Sequence, residues 1–310
     1  MNTLKLNFSD FWPGFNKHDN YFINLLRKYY DVQIVEDPEV LIYSCYSFNF
    51  LKYNCHKIFF APENVRPNYN ECDFSFSFDY SEAKGNNYRL PLFILYGNVE
   101  KLIEEKNIDQ ISSEKNKFCN MLVSNPRGKE RNQFFHLLSE YKKVDSGGKF
   151  LNNIGSRVKN RFHFIEPYKF TLAFENSSYP GYTTEKIFEP MKVNSIPIYW
   201  GNPKVDTDFN PKSFVNVHDY DNFNNAIDAI KEIDQNENIY KIYLKEPYFK
   251  GNEIPKEFTN EVVLGKFIDV ISSFKKTNPV LNRRDKLFLG YSNMVRKRFL
   301  NKFIFEKRIY

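Results

Sequence analysis

Residues 170–201 read FTLAFENSSYPGYTTEKIFEPMKVNSIPIYWG, and their order decides the fold. The apolar run Phe170, Leu172, Ala173 and Phe174 predicts a buried strand, ended by the polar turn Glu175, Asn176, Ser177 and Ser178. Gly181 admits an unusual backbone angle, and Thr183 or Thr184 is a good N-cap for a helix that opens on Glu185 and Lys186. A second apolar strand, residues 196–200, follows the helix. Strand, polar turn, helix and strand in that order make a parallel βαβ unit. Free amides at the helix start carry the positive end of the helix dipole and suit a phosphate, and Lys186 adds a full charge. The same groups also describe a capped helix with a solvated Glu-Lys pair, so this segment alone leaves both readings open.

Working outward, the same alternation recurs. Residues 118–123 predict a strand that ends in the turn Ser124-Asn125-Pro126, and residues 131–141 carry Phe134, Phe135, Leu137 and Leu138 at helical spacing. Further strands are expected at 143–145 and 213–217, with a helix over 223–233. Towards the N-terminus, short β-rich runs at 4–8, 32–35, 40–43 and 57–60 alternate with a helical pattern at 21–30. A strand-like alternation at 74–78 leads to a turn at 84–87, and the polar stretch 98–113 marks a boundary near its end. The chain therefore reads as α/β with two Rossmann-like layers, residues 1–112 and 113–275, facing a crevice at the carboxyl ends of their strands. Residues 276–310 form a separate tail.

Composition narrows the function classes. Of 310 residues, 42% are hydrophobic and 26% charged, as in an ordinary folded chain of about two domains. Cys45, Cys55, Cys72 and Cys119 show no Cys-x-x-Cys pair and no histidine at ligand spacing, so neither a structural zinc site nor a disulfide framework is expected. The first ten residues lack a signal-peptide pattern, and no uncharged apolar run of about 18 residues occurs, so a cytoplasmic, soluble or peripheral protein is expected. The net charge is +6, but residues 283–310 alone carry +7, which leaves −1 for the rest. That distribution argues against nucleic-acid binding. In the tail, Phe288, Tyr291, Val295, Phe299 and Phe303 make one apolar helical stripe among Arg296, Lys297 and Lys302. A basic amphipathic helix of this kind either lies on an anionic membrane surface, here the inner face of the cytoplasmic membrane, or packs on the body.

Other basic loops repeat the theme of the central segment, at Arg131 and at Val158-Lys159-Asn160-Arg161. Together with Lys186 they describe a cleft that neutralises a diphosphate without a metal. Asp206-Thr207-Asp208 has the form of a metal-diphosphate ligand, yet it lies in a polar segment where aspartate is an ordinary turn residue. It is read as a turn. No essential metal is expected, and stimulation by Mn2+ or Mg2+ at product release is left open.

Phe174-Glu175-Asn176-Ser177, then Tyr182-x-Thr184-Glu185-Lys186, then Ile-Pro-Ile-Tyr-Trp-Gly at 196–201, resembles the donor-binding motif of the bacterial α-1,3/4-fucosyltransferases, glycosyltransferase family ten. Residues 118–126, Arg131-Asn132, 142–153 and NPKSFVNVHDY at 210–220 are similar to the same family, so the resemblance spans most of 119–230. It implies a GT-B-type fold and inverting transfer of L-fucose from GDP-L-fucose to O3 or O4 of N-acetylglucosamine in an N-acetyllactosamine-type glycan. Carried over by position, Arg131 and Lys186 would neutralise the diphosphate, Glu185 and Tyr182 hold fucose or ribose, and Asn176 brace the donor. Thr183 and Thr184 complete the donor set with Val123, Val158, Lys159, Asn160 and Arg161.

Inversion by single displacement needs a carboxylate to take the acceptor proton and positive charge to stabilise the departing GDP. Glu63 is the first strand-end carboxylate of the N-terminal half that meets the requirement, and Glu63-Asn64-Val65-Arg66-Pro67-Asn68 is similar to the family string that carries the base. A loop carboxylate paired with Arg66 is the alternative. Sugar faces stack on aromatic rings, and Trp12 and Tyr46, near strand ends, are the acceptor candidates. The rival from another class is a non-catalytic carbohydrate- or nucleotide-sugar-binding protein that keeps the cleft without turnover.

Overall fold

The structure, a computed structural model, describes residues 2–80 and 85–280. The chain divides into two α/β units, one of Met1–Arg89 with Asn260–Tyr310 and the other of Leu90–Thr259. The first runs β1 (Asn2–Ser9), α1 (Tyr21–Leu26), β2 (Tyr30–Ile34), β3 (Val40–Tyr43), β4 (His56–Phe60), β5 (Phe74–Ser77) and β6 (Asn87–Arg89). All six strands pair in parallel, in the order β2-β1-β3-β4-β5-β6. Central β3 is buried at every residue, which explains its continuous Val-Leu-Ile-Tyr run where a one-faced strand would alternate. Ser9 stands opposite Tyr43, and Tyr43 opposite Phe59, so β1, β3 and β4 end level and their following loops emerge side by side.

The second unit runs α2 (Ile108–Glu114), β7 (Lys117–Met121), α3 (Lys129–Tyr141), β8 (Val144–Ser146), α4 (Arg161–Ile165), β9 (Tyr168–Phe174), α5 (Glu185–Lys192), β10 (Ile196–Trp200), β11 (Val215–Asn216), α6 (Phe223–Gln235) and α7 (Glu237–Lys245). Its five strands are parallel in the order β11-β10-β9-β7-β8. The expected βαβ unit is present as β9, α5 and β10. Thr184 caps α5 by accepting from the Lys186 amide, and Ile187, Phe188 and Met191 bury one face of the helix. The chain then returns to the first unit through α8 (Asn260–Phe274), whose Phe267 stacks on Phe76 at 4.0 Å and meets Phe22 at 6.0 Å.

The unit bounds differ from the expected 1–112 and 113–275. The first unit stops at Arg89, because Phe93 packs within the second unit on Phe188, Phe209 and Phe258, at 5.6, 5.0 and 5.4 Å. The polar stretch 98–113 holds α2, capped by Asn107, and belongs to the second unit. Asn87 opens β6 where a turn was expected, α1 ends at Leu26, and β11 is limited to Val215–Asn216. The expected tail helix at residues 283–310 lies outside the described residues. Among the described residues no helix is long and apolar enough to cross a membrane, and no disulfide joins any of the four cysteines.

Candidate functional site

A cavity of about 610 Å³ opens in the second unit, with walls that include the loops after β7 and β8 and the helices α4 and α5. Backbone geometry shapes it. A Cβ at Gly148 would lie 1.7 Å from the Val123 carbonyl oxygen, and one at Gly147 would lie 2.3 Å from Val158 Cγ2. Glycine at 148 lets the β8 loop lie this close to the β7 loop, and glycine at 147 leaves room for Val158. The Gly148→Ala protein is therefore expected to lose about 3 kcal/mol or more of stability, because backbone blocks the methyl group, and to lose the cavity with it. Chemical denaturation beside ligand titration checks both. Asn153 secures the same loop, accepting from Ser146 N at 2.8 Å and donating to Val144 O at 2.8 Å.

The cavity wall is cationic. Arg157, Lys159, Arg161 and Lys186 face it against the carboxylates Glu185 and Glu189. Arg161 pairs with Glu189, and Asn160 caps α4 by accepting from His163 N at 3.2 Å. Val123 and Val158 add apolar surface. Seven of the expected donor residues thus line one cavity: Val123, Val158, Lys159, Asn160, Arg161, Glu185 and Lys186.

Arg131 and Asn176, also expected in the donor set, do not line that cavity. Arg131, near the start of α3, is 1% exposed; Nη1 donates to Asn176 Oδ1 at 3.3 Å and Nη2 donates to the Asn125 carbonyl. Among the described residues no carboxylate pairs with it, its Nε has no hydrogen-bond partner, and burial pulls its pKa down. Gly128 lies against the guanidinium, where a Cβ would come within 2.7 Å of Cζ. A buried cation with no carboxylate partner among the described residues, at the amino end of a 13-residue helix, is poised for an anion.

Tyr182, Thr183 and Thr184, like Arg131, lie beneath the surface. All three are at most 1% exposed and do not line the cavity. They build the ledge from which α5 starts. Thr183 Oγ1 donates to Asp208 Oδ2 at 2.6 Å, Asn202 Nδ2 donates to Thr183 Oγ1 at 3.0 Å, and Gly181 N donates to Asn202 Oδ1 at 2.8 Å. Asp206 and Thr207 form a turn, and buried Asp208 anchors this ledge. Glu175 lies beneath Thr184, accepting from its amide at 2.7 Å and from its hydroxyl at 2.8 Å.

In the first unit, Trp12, Tyr46 and Glu63 each stand three residues beyond the end of β1, β3 and β4. The parallel register brings them together: the Tyr46 hydroxyl donates to Glu63 Oε1 at 3.5 Å, and the Trp12 and Tyr46 rings are 6.5 Å apart. Asp10 holds the loop that carries Tyr46. Its backbone is left-handed (φ 60°), its carbonyl accepts from Tyr46 N at 3.0 Å, and its carboxylate accepts from Asn49 N at 2.9 Å and Phe50 N at 2.7 Å. Arg66 pairs with Asp79 and donates to Asn64 Oδ1 at 2.5 Å.

Sequence reasoning missed Gly147, Gly148, Arg157 and Glu189 on the cavity wall, and placed Glu175 in the family motif without a role. Two adjacent glycines directly after a predicted strand were the available signal for the first two. Nothing local distinguishes Glu175 from a turn carboxylate, because its burial depends on Gly201, whose missing side chain lets β10 close over Glu175 Cγ.

Two parallel α/β units, one with a cationic cavity of this size, define a protein of GT-B type. Two family models cover most of the chain: residues 6–96 match the N-terminal domain of the α-(1,3)-fucosyltransferase FucT, and residues 112–270 match the C-terminal part of glycosyltransferase family 10 (fucosyltransferase). The chain belongs to glycosyltransferase family 10. It is 36% identical over 219 residues to the α-(1,3)-fucosyltransferase FucT of Helicobacter pylori, covering 60% of this chain and 46% of that protein. It is 31% identical over 128 residues to GDP-fucose protein O-fucosyltransferase 3 of Homo sapiens, covering 37% of this chain and 26% of that one. The chain thus spans less than half the length of either relative. A crystal structure of an α1,3-fucosyltransferase with GDP-fucose superimposes with a TM-score of 0.75 at 28% identity, over 87% of this chain and 90% of that one.

Proposed function

We propose that this protein is an inverting α-1,3-fucosyltransferase that moves L-fucose from GDP-L-fucose to O3 of N-acetylglucosamine in an N-acetyllactosamine-type acceptor. The observation that carries the reading is the cationic cavity of the second unit, together with Arg131 of the same unit, a buried cation with no carboxylate partner among the described residues. Diphosphate oxygens match both. The solved relative with GDP-fucose supports the choice of donor.

In this reading Arg131 and Lys186 stabilise the charge that develops on the departing β-phosphate, and Asn176 keeps the Arg131 guanidinium oriented. Glu185, on the cavity wall, accepts hydroxyls of the fucose or ribose. Glu63 takes the proton of the acceptor hydroxyl as its oxygen bonds to the fucose anomeric carbon; the bond from that carbon to the phosphate oxygen breaks, and its electron pair leaves with GDP. Tyr46 and Trp12 offer ring surface beside Glu63 for a sugar face.

Purified protein incubated with GDP-fucose and N-acetyllactosamine in EDTA is expected to release GDP and yield a product heavier by one fucose, read by mass spectrometry, with NMR giving the linkage. GDP binding without product would keep the donor reading and leave a different acceptor or the non-catalytic rival. No GDP binding at all would overturn the donor reading.

A further inference from the structure

We infer that Glu175 is a positioning residue of the donor site, holding the Lys186 ammonium at the cavity wall. The inference rests on the donor reading above and deepens it. Lys186 is the cation of α5 that faces the cavity, and a lysine side chain has four rotatable bonds, so its charge acts at a fixed point only if something holds it. Glu175 Oε2 accepts from Lys186 Nζ at 3.0 Å, and Lys186 Nζ also lies 3.1 Å from Thr184 Oγ1. Glu175 is itself immobile. It is completely buried, its two oxygens are engaged by the amide and hydroxyl of Thr184, and Gly201 closes over it so tightly that a Cβ there would lie 2.4 Å from Cγ.

A buried carboxylate of this kind is costly unless it serves a partner. Burial pushes its carboxyl pKa up, and the Lys186 ammonium is the strongest influence holding it down. The four residues come from three places: Glu175 follows β9, Thr184 and Lys186 start α5, and Gly201 follows β10. Their convergence fixes one cation with respect to the strand ends. Glu175 makes no contact with the cavity and acts through Lys186.

The test is GDP titration of a mutant cycle. In the wild-type background Lys186→Met is expected to weaken GDP binding about tenfold or more, the value of a charge-assisted hydrogen bond. In the Glu175→Gln background the same change is expected to cost less than about threefold, because the buried carboxylate that fixes the ammonium is gone and the contacts with Thr184 at 3.1 Å and Glu185 at 3.7 Å hold it less firmly. Arg131→Met should cost the same factor in both backgrounds, which separates loss of one held cation from general loosening of the site. Equal cost of Lys186→Met in both backgrounds would overturn the inference, as would loss of the Arg131→Met effect. Thr184→Val gives a second reading should Glu175→Gln fold poorly. It deletes the hydroxyl shared by Glu175 and Lys186, and its loss of GDP affinity should vanish when Lys186 is methionine; an additive loss overturns the inference. If the wild-type protein does not bind GDP, the donor reading falls and takes this one with it, whereas additive losses in a protein that binds GDP overturn this one alone.

Discussion

Glu63→Gln is expected to slow fucose transfer by about 100- to 10,000-fold, the range of a general base, while GDP binds within about twofold of wild type. Two observations set these expectations apart. Glu63 stands on the strand ends of the first unit beside Tyr46, and every residue that lines the cationic cavity belongs to the second unit. The amide is isosteric with the carboxylate and keeps an acceptor for the Tyr46 hydroxyl, so the loop should hold its shape while it loses the ability to take a proton. Initial rates at saturating donor, with GDP affinity from titration, separate the two effects. A Glu63→Gln enzyme that transfers fucose as fast as wild type would sink the assignment and move the base elsewhere, with Glu185 the next candidate.

Arg131→Met is expected to weaken GDP about 100-fold, yet to melt no lower than wild type. An arginine that is 1% exposed, has no carboxylate partner among the described residues and carries an unsatisfied Nε costs the empty protein stability. Methionine fills similar space without the buried charge. The diphosphate supplies the missing counter-charge, so the cost of burying Arg131 is recovered only when the ligand is bound. Thermal melts with and without GDP read both halves of the claim. At a GDP concentration about 100 times the wild-type Kd, ligand stabilisation of about 2.7 kcal/mol should fall to about 0.4 kcal/mol in Arg131→Met. A variant that melts far below wild type without ligand would show instead that Arg131 is a structural strut, held by Asn125 and Asn176.

The contrast between these two residues also shows how far the sequence alone reaches. The place of Glu63 beyond a strand end was legible because strand ends are local: an apolar run that stops at Phe60 places whatever follows it at the carboxyl edge of a parallel sheet. Lys186 was legible for a similar reason, since a threonine cap and a helix start are written in neighbouring residues. The alternation of strand and helix, the motif around α5 and the basic loop before α4 all depend on interactions a few residues long. These were enough for the parallel α/β class, the family and seven residues of one cavity.

What only the tertiary structure decided depends on burial, which distant segments create. Tyr182, Thr183 and Thr184 carry the same polar groups as cavity residues, yet the hydrogen bonds of Asn202 and Asp208 draw that stretch under the surface. Glu175 reads as a turn carboxylate until Gly201 of the next strand closes over it. The unit boundary moved because Phe93 finds its aromatic partners far along the chain, and α8 joined the first unit because Phe267 finds Phe76. Local propensity and periodicity specify the elements and the positions where chemistry is presented. Which charged groups face a ligand and which hold the wall behind it is set by long-range packing, because desolvation and close backbone approach do not exist until separate segments meet.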